Sequence, residues 1–280
     1  FSNRIGIPGE DLKGVYYGLD FLRDVNLGRE VKVEGTVAVI GGGNTAIDAA
    51  RAAVRLGAEK VIILYRRLIE DMPADAREIK DAVEEGIEIT PLVAPVEFTG
   101  DDKVRGVKCV RMKLKEFDST GRRKPKPIAE SEFTIPVDMV IPAVSQHSDL
   151  PFIDKDEVEV TRWGTFVVDR DTMMTRMKGV FAGGDVIRGS DVVITAIADG
   201  KEAAKAIDKY LGGKGILNTG EDIGIPEATD EDEIVEHERF EMKCLDVETR
   251  IKCFDEVYIG YHKLNAMAEA MRCLRCDRRA

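Results

Sequence analysis

The 280-residue chain is 44% hydrophobic and 33% charged, which suits one large domain or two smaller ones and excludes a disordered or collagen-like chain. Its 41 Lys and Arg against 52 Asp and Glu leave a net charge of −11, so most of the surface repels nucleic acid and anionic lipid. No apolar run approaches the roughly 18 to 20 residues of a membrane-spanning helix; the expected setting is cytoplasmic, with no nucleic-acid partner and no membrane span. The chain opens on Phe1 rather than Met and carries no signal-peptide pattern, so it reads as a piece of a longer protein.

Residues 1–33 hold turn signals (Pro8-Gly9, Gly14, Gly28) around a short helix, Tyr17 to Arg23, and form a connector. Thr36 to Ile40 is a β-branched apolar run of the kind found in buried parallel strands. Glycines 41 to 43 follow, then an Ala-rich helix from Thr45 to Leu56 and a second buried strand, Val61 to Tyr65. Their span is that of a βαβ unit. A helix is expected over Ala74 to Glu85, strands over Ile87 to Thr90, Val104 to Leu114 and Phe133 to Ile135, and a Pro-broken hairpin or loop over Arg122 to Pro127. Asp138 to Ile141 reads as a central strand, 165–168 and 179–182 as short strands, and Asp191 to Tyr210 as a long helix. Beyond Gly213, residues 227–241 hold eight acids and one Arg, an exposed linker or helix, and 250–276 look helical.

Gly41-Gly42-Gly43-Asn44-Thr45-Ala46 satisfies G-x-G-x-x-A between a strand and a helix. Small residues are needed there because a pyrophosphate must approach the backbone and rest on the helix N-terminus. A glycine turn that only joins packed elements is the plainer alternative. An NAD site places an acid at the end of the second strand for the ribose hydroxyl; here Tyr65 is followed by Arg66 and Arg67. Two guanidinium groups suit a 2′-phosphate and therefore NADP(H), unless they are plain surface charge. A second signature is Ala182-Gly183-Gly184-Asp185-Val186, ahead of the long helix. Gly184 permits close backbone approach, Asp185 can accept from polyol hydroxyls, and the helix start near Val193 offers amides to a partly anionic ring. The alternative is a tight turn with Asp185 as a cap.

In order along the chain, Ile7-Pro8-Gly9-Glu10-Asp11-Leu12, the Gly41 to Ala46 loop, Tyr65-Arg66-Arg67 with Met72-Pro73-Ala74, and the Gly183-Gly184-Asp185 block resemble the small subunit of NADPH-dependent glutamate synthase. The same pattern is similar to the flavin-NADPH region of dihydropyrimidine dehydrogenase and to the NADPH subunits of bifurcating transhydrogenases. The resemblance implies an α/β fold in which a Rossmann-type NAD(P)-binding domain is inserted in a partial FAD-binding domain of the two-dinucleotide-binding-domain flavoprotein type, with a C-terminal helical appendage. The expected divisions are 1–33 (connector and part of the FAD domain), 34–146 (NADP(H) domain), 147–213 (rest of the FAD domain) and 214–280 (acidic linker and tail). It further implies that Gly41, Gly42, Gly43, Asn44, Thr45, Ala46, Arg66 and Arg67 hold NADP(H), and that Gly184, Asp185 and Val193 hold FAD. The family's own FAD glycine loop has no counterpart in this sequence, and Ser145 stands where the family usually has Gly.

Of five cysteines, Cys109 stands apart while Cys244, Cys253, Cys273 and Cys276 crowd the tail. The tail resembles the module that opens the iron–sulfur region of these proteins, with Cys273 and Cys276 as the expected ligands. A cluster needs about four, and a C-x8-C-x19-C-x2-C spacing leaves a cluster, zinc or free thiols open. No catalytic side chain is expected, because hydride transfer between nicotinamide and flavin is carried by the cofactors. The expected function is an NADPH:flavin oxidoreductase module that passes electrons to a partner such as an amidotransferase subunit, ferredoxin, or a hydrogenase or dehydrogenase complex. The rival is a non-catalytic NADP-binding scaffold.

Overall fold

The structure is a computed structural model that describes residues 1–117, 123–148, 150, 158–217 and 238–272. The chain divides into two compact units, Phe1–Asn218 and Thr219–Ala280. The first begins with α1 (Gly18–Asn26), followed by β1 (Thr36–Ile40), α2 (Asn44–Arg55), β2 (Lys60–Tyr65), α3 (Ala76–Glu84) and β3 (Glu88–Pro91). Then come β4 (Val93–Gly100), β5 (Val104–Phe117), β6 (Arg123–Pro136), β7 (Met139–Pro142), α4 (Asp185–Arg188) and α5 (Val193–Tyr210).

Strands β3-β2-β1-β7 form a parallel sheet in that order. Val37, Val39, Val61, Ile63, Met139 and Ile141 pack with Phe21 of α1 and the alanines of α2 on one face. Their neighbours Ala38, Ile40, Ile62, Leu64 and Val140 pack with Phe98, Val104, Val107 and Cys109 on the other. Successive side chains leave opposite faces of a strand, and both faces here are covered. This explains why β1 and β2 are apolar without alternation.

The second cover is an antiparallel sheet, β4-β5-β6. Of the hairpin or loop expected over Arg122 to Pro127, the structure has the hairpin: β6 starts at Arg123 and pairs antiparallel with β5, with Pro125 and Pro127 opposite Leu114 and Met112. Strand β4, which contains Pro95, was not expected at all. Both are outer strands of a three-stranded sheet, where proline's missing N–H can face away from the ladder. The short strands expected at 165–168 and 179–182 are reduced to single bridges, Val160 with Phe166, Val168 with Thr175 and Met174 with Phe181.

In the second unit, β8 (Lys243–Cys244) pairs with β9 (Tyr258–Gly260), and α6 (Val247–Arg250) and α7 (Lys263–Met271) flank them. The continuous helical character expected over 250–276 is therefore interrupted by a strand, which ends at Gly260 with φ of 83°. Most of the acidic run, and both Cys273 and Cys276, lie outside the described residues.

Helix α2 is clamped to α3 by ions. Glu85, with a side chain 0% exposed, accepts from Arg51 at 2.7 Å and Arg55 at 2.8 Å. Burial opposes its ionisation, but the hydrogen bonds from Arg55 and Arg51 outweigh that and hold its pKa at about 2. Removing one member of a buried pair costs about 3 to 5 kcal/mol, so Glu85→Gln should lower urea stability at neutral pH by that order. The folded pKa lies below the ordinary 4.5. The advantage of the native residue is therefore complete above about pH 4.5 and should disappear as the pH falls towards about 2. A pH-independent advantage in the same titration would contradict the clamp.

Candidate functional site

At the C-terminal ends of the parallel strands, β1 and β7 part company: β1 leads back towards β2 through α2, whereas β7 arrives from the antiparallel sheet. Such a topological switch point is where open α/β sheets bind ligands. A cleft of about 820 Å³ opens there, and among the described residues that line it every charged one is an arginine: Arg4, Arg66 and Arg67. In a chain of net charge −11, a cleft with three arginines and no carboxylate among its described lining residues suits an anion.

The six residues of the glycine loop have separate tasks. Gly41 turns with φ of 147°, and a Cβ there would lie 2.3 Å from the Ala143 carbonyl oxygen. A Cβ on Gly42 would lie 2.5 Å from the Tyr65 ring. Gly43 is different: an added Cβ would meet only the Pro73 Cγ, at 4.0 Å, so its missing side chain leaves room on the cleft side. Asn44 Oδ1 accepts from the Asp75 amide at 3.0 Å, tying the loop after β2 to the start of α2. Thr45 lines the cleft and its hydroxyl accepts from Gln146 Nε2 at 3.3 Å. Ala46 is fully buried, which permits the close packing of helix on strand. Gly43 is the N-cap of α2 and offers no side chain to its first-turn amides. The cradle and those amides fit a pyrophosphate.

The arginine pair separates. Arg66 is exposed at the end of β2 and among the described residues makes no ion pair. Arg67 is 7% exposed, and its Nε donates to the Arg123 carbonyl oxygen at 2.9 Å. It anchors the end of β6 beneath the cleft wall. The two were expected to act alike, and burial assigns them different work.

A second cleft of about 640 Å³ is lined by Gly183, Gly184, Asp185, Val192, Val193 and Ala196 among others. Gly184 has φ of 72°, a region that favours glycine. Its amide donates to Asp199 Oδ2 at 2.9 Å rather than into the cleft. Arg188 grips the same carboxylate through Nε at 2.7 Å and Nη2 at 2.6 Å, and this pairing holds Asp199 down at about pKa 2. Asp185 and Val193 are exposed at the rim. Val192, the N-cap of α5, has no side-chain bond to the first turn. A carboxylate able to accept hydroxyls, a glycine turn and a long helix start with no side-chain cap fit a flavin's polyol chain and ring.

Sequence reading missed Arg4 and Asp199, and met Gln146 only as the neighbour of Ser145. Asp199 sits inside a helix with no motif around it, and its role follows only from the fold returning α5 across the Gly183-Gly184 turn. Arg4 precedes every regular element. For the tail, the described residues hold no group of three or more His, Cys, Asp or Glu placed for a metal ion, and Cys244 and Cys253 are free thiols.

The sequence profile described as "pyridine nucleotide-disulphide oxidoreductase" matches residues 1–200. The chain belongs to that family. Among its relatives, the NADP(+)-dependent formate dehydrogenase subunit beta of Moorella thermoacetica is 42% identical over 99% of this chain and 41% of that protein. The glutamate synthase [NADPH] small chain of Azospirillum brasilense is 45% identical over 75% of this chain and 46% of its own length. This chain thus spans less than half of either, and the resemblance drawn from its motifs holds. Among solved structures, Mycobacterium tuberculosis FprA in complex with NADPH superposes with a TM-score of 0.60 at 19% identity, over 75% of this chain and 62% of that one, a likeness of fold. Membership makes the chain part of an oxidoreductase. No helix among the described residues is long and apolar enough to cross a membrane.

Because Gly43 faces the cleft and touches little else, Gly43→Val should abolish nucleotide binding while leaving the circular dichroism spectrum intact. Gly42→Val, by contrast, should unfold or distort the loop through Tyr65. Calorimetry on the Gly43 variant decides it: native affinity in a folded variant would place the ligand elsewhere.

Proposed function

We propose that this chain is the NADP(H)-binding and flavin-contacting module of an NADPH:FAD oxidoreductase that feeds electrons to a partner subunit. The observation that carries the reading is the cleft around the Gly43 cradle, whose described lining residues include three arginines and no carboxylate. Its anion preference is explained by a dinucleotide phosphate chain and by little else at a strand switch point. Gly43 and the first turn of α2 would take the pyrophosphate, and exposed Arg66 the 2′-phosphate. Gly184, Asp185 and Val193 would border the flavin. When bound, the nicotinamide and flavin would supply the redox chemistry. The protein binds, orients and shields the rings, which is why no acid–base side chain is called for. The relatives, a formate dehydrogenase subunit and a glutamate synthase chain, support an electron-accepting partner. A dehydrogenase, an amidotransferase subunit or ferredoxin would serve.

In the same reading Cys273 and Cys276 contribute to an iron–sulfur site on the exit path. Anaerobic iron and sulfide analysis of the full chain tests this: bound metal should vanish in Cys273→Ser/Cys276→Ser, and its persistence would exclude the pair as ligands.

Arg66 and Arg67 now make opposite forecasts. A charge-assisted bond to phosphate contributes about 1.5 to 3 kcal/mol, so Arg66→Ala should cut the preference for NADPH over NADH at least about tenfold with little change in stability. Arg67→Ala should lower the melting temperature, because it leaves the Arg123 carbonyl without its donor. Equal affinity of the native chain for NADPH and NADH would refute the NADP(H) assignment.

A further inference from the structure

Three arginines line the cleft, and two have been given tasks. The third, Arg4, comes from the entry segment that precedes α1. That segment runs antiparallel beside the exit from β7: Ser2 bridges Gln146, and the Asn3 amide donates to the Ser145 carbonyl oxygen at 2.9 Å. The order across the mouth of the sheet is therefore β2, β1, β7 and then the entry segment. Arg66 stands on one side of the glycine loop and Arg4 on the other.

The Arg4 guanidinium is 62% exposed, and its ion-pair partner Asp11 is 83% exposed, at 2.8 Å. A pair open to water on both sides contributes little to stability, so the guanidinium can be surrendered to a stronger anion. Phosphate is such an anion, because its oxygens match the two-pronged guanidinium. A dinucleotide laid from β2 towards β7 presents three phosphates in sequence. On the reading above, the 2′-phosphate would lie at Arg66 and the pyrophosphate at Gly43 and the first turn of α2, with its nicotinamide-side phosphate towards Arg4. Arg4 is the remaining cation among the described residues that line the cleft.

We propose that Arg4 binds the nicotinamide-side phosphate of the dinucleotide, with Asp11 holding the guanidinium until the ligand displaces it. The assignment rests on the NADP(H) reading above. It makes Arg4 the residue that holds the reactive half of the nucleotide, while Arg66 selects the adenosine half.

The test is calorimetry on the full chain with two probes, NADPH and 2′,5′-ADP. The second carries the 2′- and adenosine 5′-phosphates but no nicotinamide nucleotide. Arg4→Gln should weaken NADPH at least about tenfold and leave 2′,5′-ADP within about twofold, the latter also serving as the control for folding. Arg66→Gln should weaken both. Equal weakening of the two probes by Arg4→Gln would move Arg4 to the adenosine half and overturn the assignment, as would native NADPH affinity in that variant. A native chain that binds neither probe would overturn the NADP(H) reading itself. A native chain that binds both, with no response to Arg4→Gln, would overturn the Arg4 assignment alone.

Discussion

Gly41 and the Ala143 carbonyl oxygen approach so closely that no side chain fits between them, and the site depends on that contact. The Ala143 amide donates to Ile40 at 2.8 Å, while the Gly41 amide turns the other way, to Leu64 at 3.2 Å. The ladder is thus closed up to the last residue of β1 and splits one residue later. A branched residue at 41 would hold the strands apart, drop α2 away from the sheet and spread the amides that form the cradle. Everything placed around that split, from Gly43 to Thr45 and Gln146, takes its position from it.

Elements with one-sided or two-sided apolar burial were readable from the residues: β1 and β2 ran as continuous apolar segments because both faces of the sheet are covered. Strand β4 was not, and the start of β6 was legible only as a hairpin or loop, because Pro95, Pro125 and Pro127 carry a breaker's signature that only an edge position excuses. That position belongs to the assembled sheet and not to the local sequence. The same limit applied to function. The loop glycines could be recognised by spacing, but which of them faces the ligand depended on Tyr65 and Ala143, which lie 23 and about 100 residues away along the chain. Arg66 and Arg67 are chemically identical neighbours, and only burial under the end of β6 separates them.

Two ionic clamps, each built on a buried carboxylate, brace the two clefts in similar ways. Glu85 fixes the back of α2 through Arg51 and Arg55, and Asp199 fixes the Gly184 turn through Arg188 and the Gly184 amide. In each case a carboxylate within the protein takes up nearby donors. At each helix start the N-cap residue, Gly43 or Val192, makes no side-chain cap bond, so the direction of the first-turn amides is set by the fold rather than by a rotamer.

Cys109 illustrates another use of burial. It is 0% exposed between the sheets, and burial pushes its thiol up to about 12, whereas Cys244 in the second unit is exposed. Only a thiolate reacts readily with alkylating reagents. A maleimide pulse therefore spares Cys109 in the intact chain and reaches it only when the two sheets separate. The chain carries its own reporter of opening at the heart of its first unit, with no engineered label.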